Sequence, residues 1–402
     1  METLGATGPD SCGPGLRALV AQLWPSPAVV SLSGAPSGYR AVATYAVVPS
    51  AARAQFLVPL ASRRVAAASL LRYNALRPVK TRVVRGVLGG GLLLGAGVML
   101  PRLTVSLPDG VAEDDALICG YLGAALGRPV VFGVGVRPVD PNSKPTLQLF
   151  SPAGESVGYA KVGWNAATRG LAASEAAAIT ALPELAAARV PSVLHHGTWR
   201  GLTVTVTAPL PARVRGHRDP DRPPPLDLSR ALAEPLSYGT LEGSPFWKRL
   251  LEDVSGPPGD ASDEEFRAAL RGALDRVAAL HGTAEREFGR WHGDWVPWNL
   301  GTHRGVPQVF DWEHSAPGVP FGLDLLHWRF QVALVLRGRP LASAALAVRE
   351  SAAAELGDPS AADLYLLEMA ARTWRLRRGG GGWNPALHPA FLDVLDGIGA
   401  PA

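Results

Sequence analysis

The sequence predicts an α+β fold with two lobes, a small antiparallel sheet followed by a mainly helical part. Residues 145–162 contain two short runs rich in strand-forming residues around a Ser-Pro-Ala-Gly turn, which is the pattern of a hairpin. Two further strand-like runs follow within residues 190–207. After Pro211 the apolar residues of 266–280 recur at helical spacing instead. The sheet is therefore expected in a first lobe over 104–209, and the helices in a second lobe over 210–402.

The second run of the predicted hairpin carries a lysine at its centre. Lys161 lies within Tyr-Ala-Lys-Val and is one of only four lysines among 39 lysine and arginine residues. In a chain with so few lysines, one within a strand favours a function such as phosphate binding. The alternative is an edge-strand lysine that faces water.

A strongly helical segment follows Lys161. Residues 170–182 are rich in alanine and other helix formers. Glu175 is expected in the first turns of this helix, where it can form an ion pair with Lys161. Glu184 is the competing partner, but it follows Pro183 and is expected to lie beyond the helix.

A second helix is predicted from Ser262 to Gly282. Ser262 and Glu265 have the spacing of a capping box, which marks a helix start. Five apolar residues then repeat at helical spacing and are expected to be buried: Phe266, Leu270, Leu274, Val277 and Leu280.

Two polar motifs separated by a short hairpin-like segment carry most of the chemical information. Asp294 and Asn299 lie five residues apart in one loop, and Asp311 follows the apolar run Val-Phe. Residues 300–308 between them contain a His-Arg-Gly turn. Phosphoryl transfer from a nucleotide uses such a set, with one carboxylate to orient the attacking hydroxyl and a carboxamide and a carboxylate to hold magnesium. Each motif alone is common, but the two in this order favour a kinase.

With the preceding His292-Gly293, these motifs resemble those of the aminoglycoside phosphotransferase and choline kinase-like family, small-molecule kinases built on the protein-kinase fold. The resemblance covers residues 110–330 in order. It implies transfer of the γ-phosphoryl group of ATP or GTP to a hydroxyl of a small metabolite, sugar or aminoglycoside-like acceptor, with Mg²⁺ as cofactor. The alternative is a kinase-like binding or regulatory protein without turnover.

The resemblance also implies roles for the residues of the two motifs. Asp294 is the expected catalytic residue, which accepts a hydrogen bond from the substrate hydroxyl and takes its proton late in transfer. Asn299 and Asp311 are the expected metal ligands, since Mg²⁺ prefers oxygen donors.

The nucleotide is expected to be held in the first lobe. Lys161 would neutralise phosphate charge, and Glu175 would orient Lys161. The segment that begins at Ala208 is the expected hinge between the lobes, where backbone groups of Ala208 and Leu210 would bind the adenine edge.

Three residues are expected to support the site rather than to react. His292 is expected to pack and to fix the loop, because Asp294 already has the role of base. Glu313 either contacts the metal or ends the strand, and Asp324 is expected to brace the catalytic loop from behind. Four tryptophans crowd these motifs and favour a packed, water-excluding surround over a stacking platform for the substrate: Trp291, Trp295, Trp298 and Trp312.

Two departures from protein kinases narrow the substrate class. Gly133-Val-Gly135 is only a fragment of the glycine-rich phosphate loop. After Trp312 the chain reaches Asp324 without an activation segment. These departures argue against a protein substrate and favour a small hydroxylated molecule.

Residues 1–103 form an extension that the resemblance does not explain. No acidic residue lies between Asp10 and Asp109, and eleven basic residues do. Strands are predicted near Tyr45 and Gln55, and a helix over 62–73. Residues 77–101 combine a basic cluster with an uncharged apolar run over 86–101, which favours either a packed subdomain with solvated arginines or peripheral contact with an anionic membrane. Nucleic-acid binding is not expected, because aromatic residues are not interleaved with the basic ones.

The cysteine content and the N-terminus predict a cytoplasmic protein. Cys12 and Cys119 are the two cysteines, too few for a disulfide framework. The first residues lack the basic and apolar regions of a secretory signal. The abundance of Ala, Gly, Pro and Arg is typical of a high-GC bacterial genome.

Overall fold

A computed structural model describes residues 12–72, 76, 79–95, 100–257 and 259–399. The chain forms two compact units, the first made of Met1–Ala176 and Pro191–Val214, the second of Ala177–Val190 and Arg215–Ala402. A large antiparallel sheet lies in the first unit, and most helices lie in the second. The predicted fold class, α+β with a sheet in a first part and a mainly helical second part, is confirmed.

The first unit is built around one nine-stranded sheet. Its strands run in the spatial order β1-β4-β2-β3-β5-β6-β7-β9-β8, and all neighbours pair antiparallel. Three strands of the basic extension, together with β4 at its C-terminal end, thus continue the sheet that carries Lys161. In chain order the strands are β1 (Val29–Ser31), β2 (Tyr39–Val48), β3 (Phe56–Pro59), β4 (Arg102–Pro108), β5 (Val131–Gly135), β6 (Thr146–Phe150), β7 (Ser156–Gly163), β8 (Val193–Trp199) and β9 (Leu202–Thr207).

The two faces of this sheet have different environments because side chains alternate along each strand. Ala160 and Val162 of β7 point into an apolar core that also contains residues of the first and fifth helices. Lys161 lies between them in the sequence and therefore points to the opposite face. The helices of the first unit are α1 (Pro14–Leu23), α2 (Arg63–Leu71), α3 (Val79–Leu93), α4 (Glu113–Ala116), α5 (Ile118–Leu126) and α6 (Ala166–Thr180).

The local predictions for the extension are confirmed. The strands expected near Tyr45 and Gln55 are β2 and β3. The helix expected from Ser62 is α2, and the Ser62 hydroxyl accepts a hydrogen bond from the backbone N–H of Val65 at 3.2 Å. A serine N-cap of this kind satisfies a backbone donor that the first helical turn leaves without a partner.

The predicted hairpin over 145–162 is confirmed as β6 and β7, but the helix after it begins earlier than expected. Asn165 Oδ1 accepts a hydrogen bond from Thr168 N at 2.8 Å, which caps α6 at Ala166 rather than at Gly170. Glu175 therefore lies in the middle of α6 and not in its first turns.

The second unit is mainly helical, with two three-stranded antiparallel sheets in the orders β10-β13-β14 and β11-β12-β15. Its helices are α7 (Leu226–Ala233), α8 (Pro245–Asp253), α9 (Ala261–His281), α10 (Leu323–Gln331), α11 (Leu341–Ser351), α12 (Ser360–Leu376) and α13 (Phe391–Asp396). Its strands are β10 (Arg215–Gly216), β11 (Ser237–Thr240), β12 (Glu285–Trp291), β13 (Leu300–His303), β14 (Val306–Val309) and β15 (Ala316–Pro320).

The helix predicted from Ser262 is α9, but its start and its last apolar residue differ from the prediction. Asp260, not Ser262, caps α9, since Asp260 Oδ1 accepts from Asp263 N at 2.9 Å. Four of the five predicted core residues are fully buried, whereas Leu280 is 58% exposed. Leu280 is the last of the series and lies one residue before the end of the helix.

Candidate active site

The loop after β12 holds Asp294 and Asn299 against each other. Asn299 Nδ2 donates hydrogen bonds to Asp294 Oδ2 at 2.7 Å and to the Asp294 carbonyl at 3.1 Å. The side chain of Asn299 is buried, and that of Asp294 is 24% exposed. This arrangement leaves the side-chain oxygen of Asn299, Oδ1, available to bind a ligand. The Asp294 carboxylate remains within reach of solvent.

The hairpin of β13 and β14 brings Asp311 next to this loop. Leu300 pairs with Val309, and Phe310 N donates to the Asn299 carbonyl at 3.2 Å. The predicted hairpin is thus confirmed, and Asp311 follows it directly. The φ of Asp311 is +73°, a left-handed backbone that is uncommon for residues other than glycine, although aspartate and asparagine adopt it more often than most. A strained residue of this kind is characteristic of functional sites.

Asp324 lies in the first turn of α10 and contacts the catalytic loop through its backbone. Its two carboxylate oxygens accept from His292 N at 2.8 Å and from Gly293 N at 2.9 Å. Burial raises the pKa of Asp324 to about 6, although the two N–H donors and the guanidinium of Arg372 oppose that rise. This is the bracing position that the sequence suggested for Asp324.

Sequence reasoning missed a buried histidine that contacts Asp294. His327 Nε2 lies 3.1 Å from Asp294 Oδ1, and His327 Nδ1 lies 3.0 Å from the Tyr365 hydroxyl. His327 and Tyr365 are fully buried. The hydrogen bonds assign the tautomer of His327. An ionised carboxylate can only accept, so the Nε2–H of His327 donates to Asp294, and the Tyr365 hydroxyl donates to Nδ1. A neutral imidazole is therefore sufficient to donate a hydrogen bond to the Asp294 carboxylate.

The pKa values of this pair move in the same direction for different reasons. Burial alone raises the pKa of Asp294, but the hydrogen bond from His327 and the nearby imidazoles of His314 and His292 lower it to about 2. Burial lowers the pKa of His327, and Asp294 opposes that shift. Asp294 is consequently ionised at neutral pH.

Arg372 of α12 completes the support of the loop. Its Nη1 donates to the Gly293 carbonyl at 2.8 Å, and its guanidinium carbon lies 5.2 Å from the centre of the Trp291 ring. The loop is therefore held by hydrogen bonds on both sides of Gly293, from Asp324 and from Arg372. Gly293 itself has φ +77°, and a Cβ there would lie 2.2 Å from the His314 carbonyl oxygen.

His292 is buried and uses both ring nitrogens within the loop. Its Nδ1 accepts from Asp294 N at 3.2 Å, so its Nε2–H is the donor to the Phe310 carbonyl, also at 3.2 Å. These contacts suit a residue that fixes the loop. Glu313 Oε1 lies 3.8 Å from His314 Nε2. Of the four tryptophans in and around the motifs, three are buried and Trp298 is 43% exposed.

The nucleotide-binding candidates lie in the first unit. Lys161 Nζ is 2.7 Å from Glu175 Oε1, and the side chains are 15% and 3% exposed. Ala208 follows β9, and its N–H already donates to the Ser192 carbonyl at 2.8 Å. Leu210 is half-buried two residues later. The free hydrogen-bonding group at Ala208 is therefore its carbonyl rather than its N–H.

Comparison with known proteins identifies similarity only among solved structures, since no family model and no curated protein matches this chain. A complex of aminoglycoside phosphotransferase APH(4)-Ia with AMP-PNP and hygromycin B is 16% identical, with a TM-score of 0.47, and the match covers 71% of this chain and 99% of that chain. A fructosamine-3-kinase of Haemophilus somnus, named as putative, is 11% identical, with a TM-score of 0.36 and coverages of 69% and 96%. A glucosamine kinase is 18% identical, with a TM-score of 0.29 and coverages of 73% and 86%.

Proposed function

We propose that this chain is a small-molecule kinase that transfers the γ-phosphoryl group of ATP or GTP to a hydroxyl of a small acceptor. The observation that carries the proposal is the environment of Asp294. Its carboxylate is ionised, is held at both oxygens by His327 and Asn299, and remains partly open to solvent. An oriented, charged acceptor of this kind is what positions an attacking hydroxyl for phosphoryl transfer.

In the proposed reaction Asp294 orients the substrate hydroxyl and accepts its proton. Each carboxylate oxygen has two lone pairs, so the bonds from His327 and Asn299 leave one on each oxygen for the hydroxyl. A pKa of about 2 makes Asp294 a weak base. That is compatible with phosphoryl transfer, because a loose transition state requires proton removal only late in the reaction.

The donor groups present fit a magnesium ion. Asn299 Oδ1 and the Asp311 carboxylate would hold it, since both are oxygen donors and the Asn299 amide nitrogen is already bound to Asp294. A bound Mg²⁺ would neutralise negative charge on the nucleotide phosphates.

Lys161 and Glu175 would bind the nucleotide. A buried glutamate 2.7 Å from the lysine fixes the ammonium group on its strand. In this role Lys161 contributes a positive charge for phosphates, and the Ala208 carbonyl and the backbone of Leu210 contact the edge of the base.

The acceptor is proposed to be a small hydroxylated molecule such as an amino sugar or another sugar. β15 and α10 follow Asp311 within the next dozen residues, so the described chain has no long segment there to bind a peptide. Hygromycin B and glucosamine, the ligands named in similar structures, are suitable first probes. We also place the protein in a reducing cytoplasm, because Cys12 and Cys119 are both free thiols.

The second candidate is a kinase-shaped binding protein without turnover, and nucleotide binding followed by a turnover assay separates the two. We expect ATP with Mg²⁺ to raise the unfolding midpoint, since ligand at a hundred times its dissociation constant adds about 2.7 kcal/mol to the folded state. The shift should require Mg²⁺ and disappear in Asp311→Ala. Asp275→Ala, which removes an exposed carboxylate in the middle of α9, is the matched control.

Turnover is then measured as ADP release across a panel of amino sugars and aminoglycosides. Asp294→Asn should bind ATP normally and release no ADP. A magnesium-dependent shift without turnover on any acceptor would favour the binding protein. Absence of any shift with ATP or GTP would contradict the kinase proposal.

A further inference from the structure

Helix α3 exposes an apolar face to solvent. Val83, Val84, Val87 and Leu94 are between 57% and 88% exposed. Val87 lies three and four residues after Val84 and Val83, and Leu94 lies seven residues, or about two turns, after Val87, so all four are on one side of the helix and its C-terminal turn. A contiguous exposed apolar face is uncommon on a protein that has no partner there.

The other side of α3 packs closely on α2. Leu92 is buried, and a Cβ at Gly89 would lie 2.7 Å from the Leu71 side chain, so the two helices approach closely at this glycine. Arg85 is also buried on this side, where it donates to the carbonyls of Leu70 and Ser69 at 2.9 Å. The orientation of α3 is thereby fixed, and the valine face is the one left outside.

Exposed basic residues surround this face. Lys80 and Arg82 are exposed in the first turn of α3, and Arg63 and Arg64 are exposed at the start of α2. The Arg63 guanidinium lies beside Gly95, next to Leu94. No aspartate or glutamate occurs anywhere from residue 11 to residue 108. The apolar face therefore lies in a purely basic part of the chain.

We propose that the outer face of α3, defined by Val83, Val84, Val87 and Leu94, docks the protein on an anionic membrane surface. Charge complementarity selects this occupant. A second copy of the chain would bring another basic face without a carboxylate to pair with Lys80 or Arg82. An anionic bilayer offers both an apolar layer for the valines and counter-charge for the basic residues.

The helix would lie in the plane of the membrane. Among the described helices none is both long enough and apolar enough to cross a bilayer. The exposed residues Lys80 and Arg82 precede Val83, the first of the exposed valines, by one turn or less, which suits a helix whose charged side chains reach the head groups while its apolar side chains enter the interface. This proposal does not depend on the proposed kinase activity.

The structure changes which basic residues are worth testing. Arg85 belongs to the basic cluster in the sequence but is engaged inside the protein, so its removal would disturb α2 and α3 rather than lipid contact. Arg77 of the same cluster lies outside the described residues. Lys80 and Arg82 are the exposed pair.

Vesicle co-sedimentation of the full chain tests the proposal. We expect wild-type protein to pellet with vesicles of phosphatidylcholine and phosphatidylglycerol and to remain in solution with phosphatidylcholine alone. The Val83→Ser, Val87→Ser, Leu94→Ser variant should pellet less with the anionic vesicles than the wild type, because it loses the apolar contribution to membrane binding. The Lys80→Gln, Arg82→Gln variant should bind at least about tenfold more weakly, because each cation near an anionic surface contributes about fivefold.

Two control variants match these changes on other surfaces. The Val335→Ser, Leu336→Ser, Leu346→Ser variant removes three apolar residues that are 49% to 56% exposed in the second unit. The Lys248→Gln, Arg339→Gln variant removes two exposed cations there. Both controls should pellet like the wild type. Unfolding midpoints of all variants show that they fold, and the charge variant tests the face even if the serine variant does not fold.

Equal pelleting of wild type and both α3 variants would overturn the proposal, as would the absence of wild-type binding to anionic vesicles. A wild-type dimer in light scattering that the serine substitutions dissociate would show that a second copy covers the face, and would also overturn it. Binding that weakens with salt and requires both the valine and the basic residues is the expected result.

Discussion

His327 Nε2 lies 3.1 Å from Asp294 Oδ1, and the two residues belong to elements that are separated along the chain, α10 and the loop after β12. Tyr365 continues the contact from α12 through the other imidazole nitrogen. The carboxylate proposed to orient the substrate thus lies at the end of a hydrogen-bonded series of three side chains, and the other two, His327 and Tyr365, are fully buried. A neutral imidazole has one donor nitrogen and one acceptor nitrogen. Because Nε2 donates to Asp294, Nδ1 must accept, and the Tyr365 hydroxyl is the donor.

Removal of His327 should reduce turnover more than nucleotide binding. His327→Ala takes away a hydrogen bond to a charged group, worth about 1.5–3 kcal/mol, so we expect kcat to fall about tenfold to a hundredfold. His327→Gln, which keeps an N–H donor, should recover part of this loss. Tyr365→Phe should have a smaller effect. It removes the hydrogen bond that fixes the tautomer of His327, but the Nε2–H that donates to Asp294 is still present. Steady-state kinetics with varied ATP measures these effects, and a change in KM for ATP alone would contradict the positioning role.

The pH profile of turnover should have an acid limb near pH 6. The pKa of Asp324 is raised by burial to about 6, so as the pH falls through this value Asp324 takes up a proton. It then loses the charge that holds the N–H groups of His292 and Gly293, and activity falls toward lower pH. Above pH 6 the carboxylate is ionised and the rate should be constant.

Asp324→Asn distinguishes this cause from titration of Asp294. Asp294 has a pKa of about 2 and stays ionised throughout the measured range. The asparagine variant should be less active but should lack the limb near pH 6. An unchanged limb in the variant would assign the titration to another group.

Much of the site could be predicted because its main residues are neighbours in the sequence. The loop with Asp294 and Asn299 and the hairpin before Asp311 form by local turns, so their spacing carries the geometry. The roles of His327 and Tyr365 could not be predicted from local spacing, because their contacts join helices that are separated in the sequence. One signal was available: His327 follows Asp324 by three residues, and that spacing puts both on one face of a helix.

The fold was predictable to a similar extent. Strands β2 and β3 and helix α2 followed from local patterns in the extension. The continuity of one sheet through both the extension and the first lobe did not, because it depends on pairing between Phe56 of β3 and Gly135 of β5. Pairing between strands so distant in the sequence is decided by packing of the whole unit and not by any local pattern.

The N-cap of α9 allows a test of a helix start that the sequence assigned wrongly. Asp260→Ala should lower the free energy of unfolding by about 1 kcal/mol or more, because it removes the N-cap and an ion pair to Arg377 at 2.7 Å. Ser262→Ala should have little effect, since Ser262 lies inside the helix. Urea unfolding measures both, and equal losses in the two variants would restore Ser262 as the cap.

The Lys161–Glu175 pair should affect stability and nucleotide binding separately. Lys161→Met leaves a buried glutamate without its cation and should cost about 3 kcal/mol of unfolding free energy. Lys161→Met combined with Glu175→Leu should recover most of that stability but not ATP binding, because the positive charge is still missing. Urea unfolding and ATP titration of the single and double variants measure the two effects. Recovery of ATP binding in the double variant would exclude a direct role for Lys161.

Two substitutions at Asp311 should separate the effect of backbone strain from that of ligand binding. With φ at +73°, Asp311 occupies a conformation that costs an L-residue about 1–2 kcal/mol and costs glycine almost nothing. Asp311→Gly and Asp311→Ala both remove the carboxylate, so both should lose the magnesium-dependent stabilisation by ATP. In the absence of ligand, however, the glycine variant should be more stable than the alanine variant by about 1 kcal/mol in urea unfolding. Equal stability of the two would mean that the left-handed backbone relaxes when the carboxylate is lost, and that the aspartate side chain itself holds this conformation.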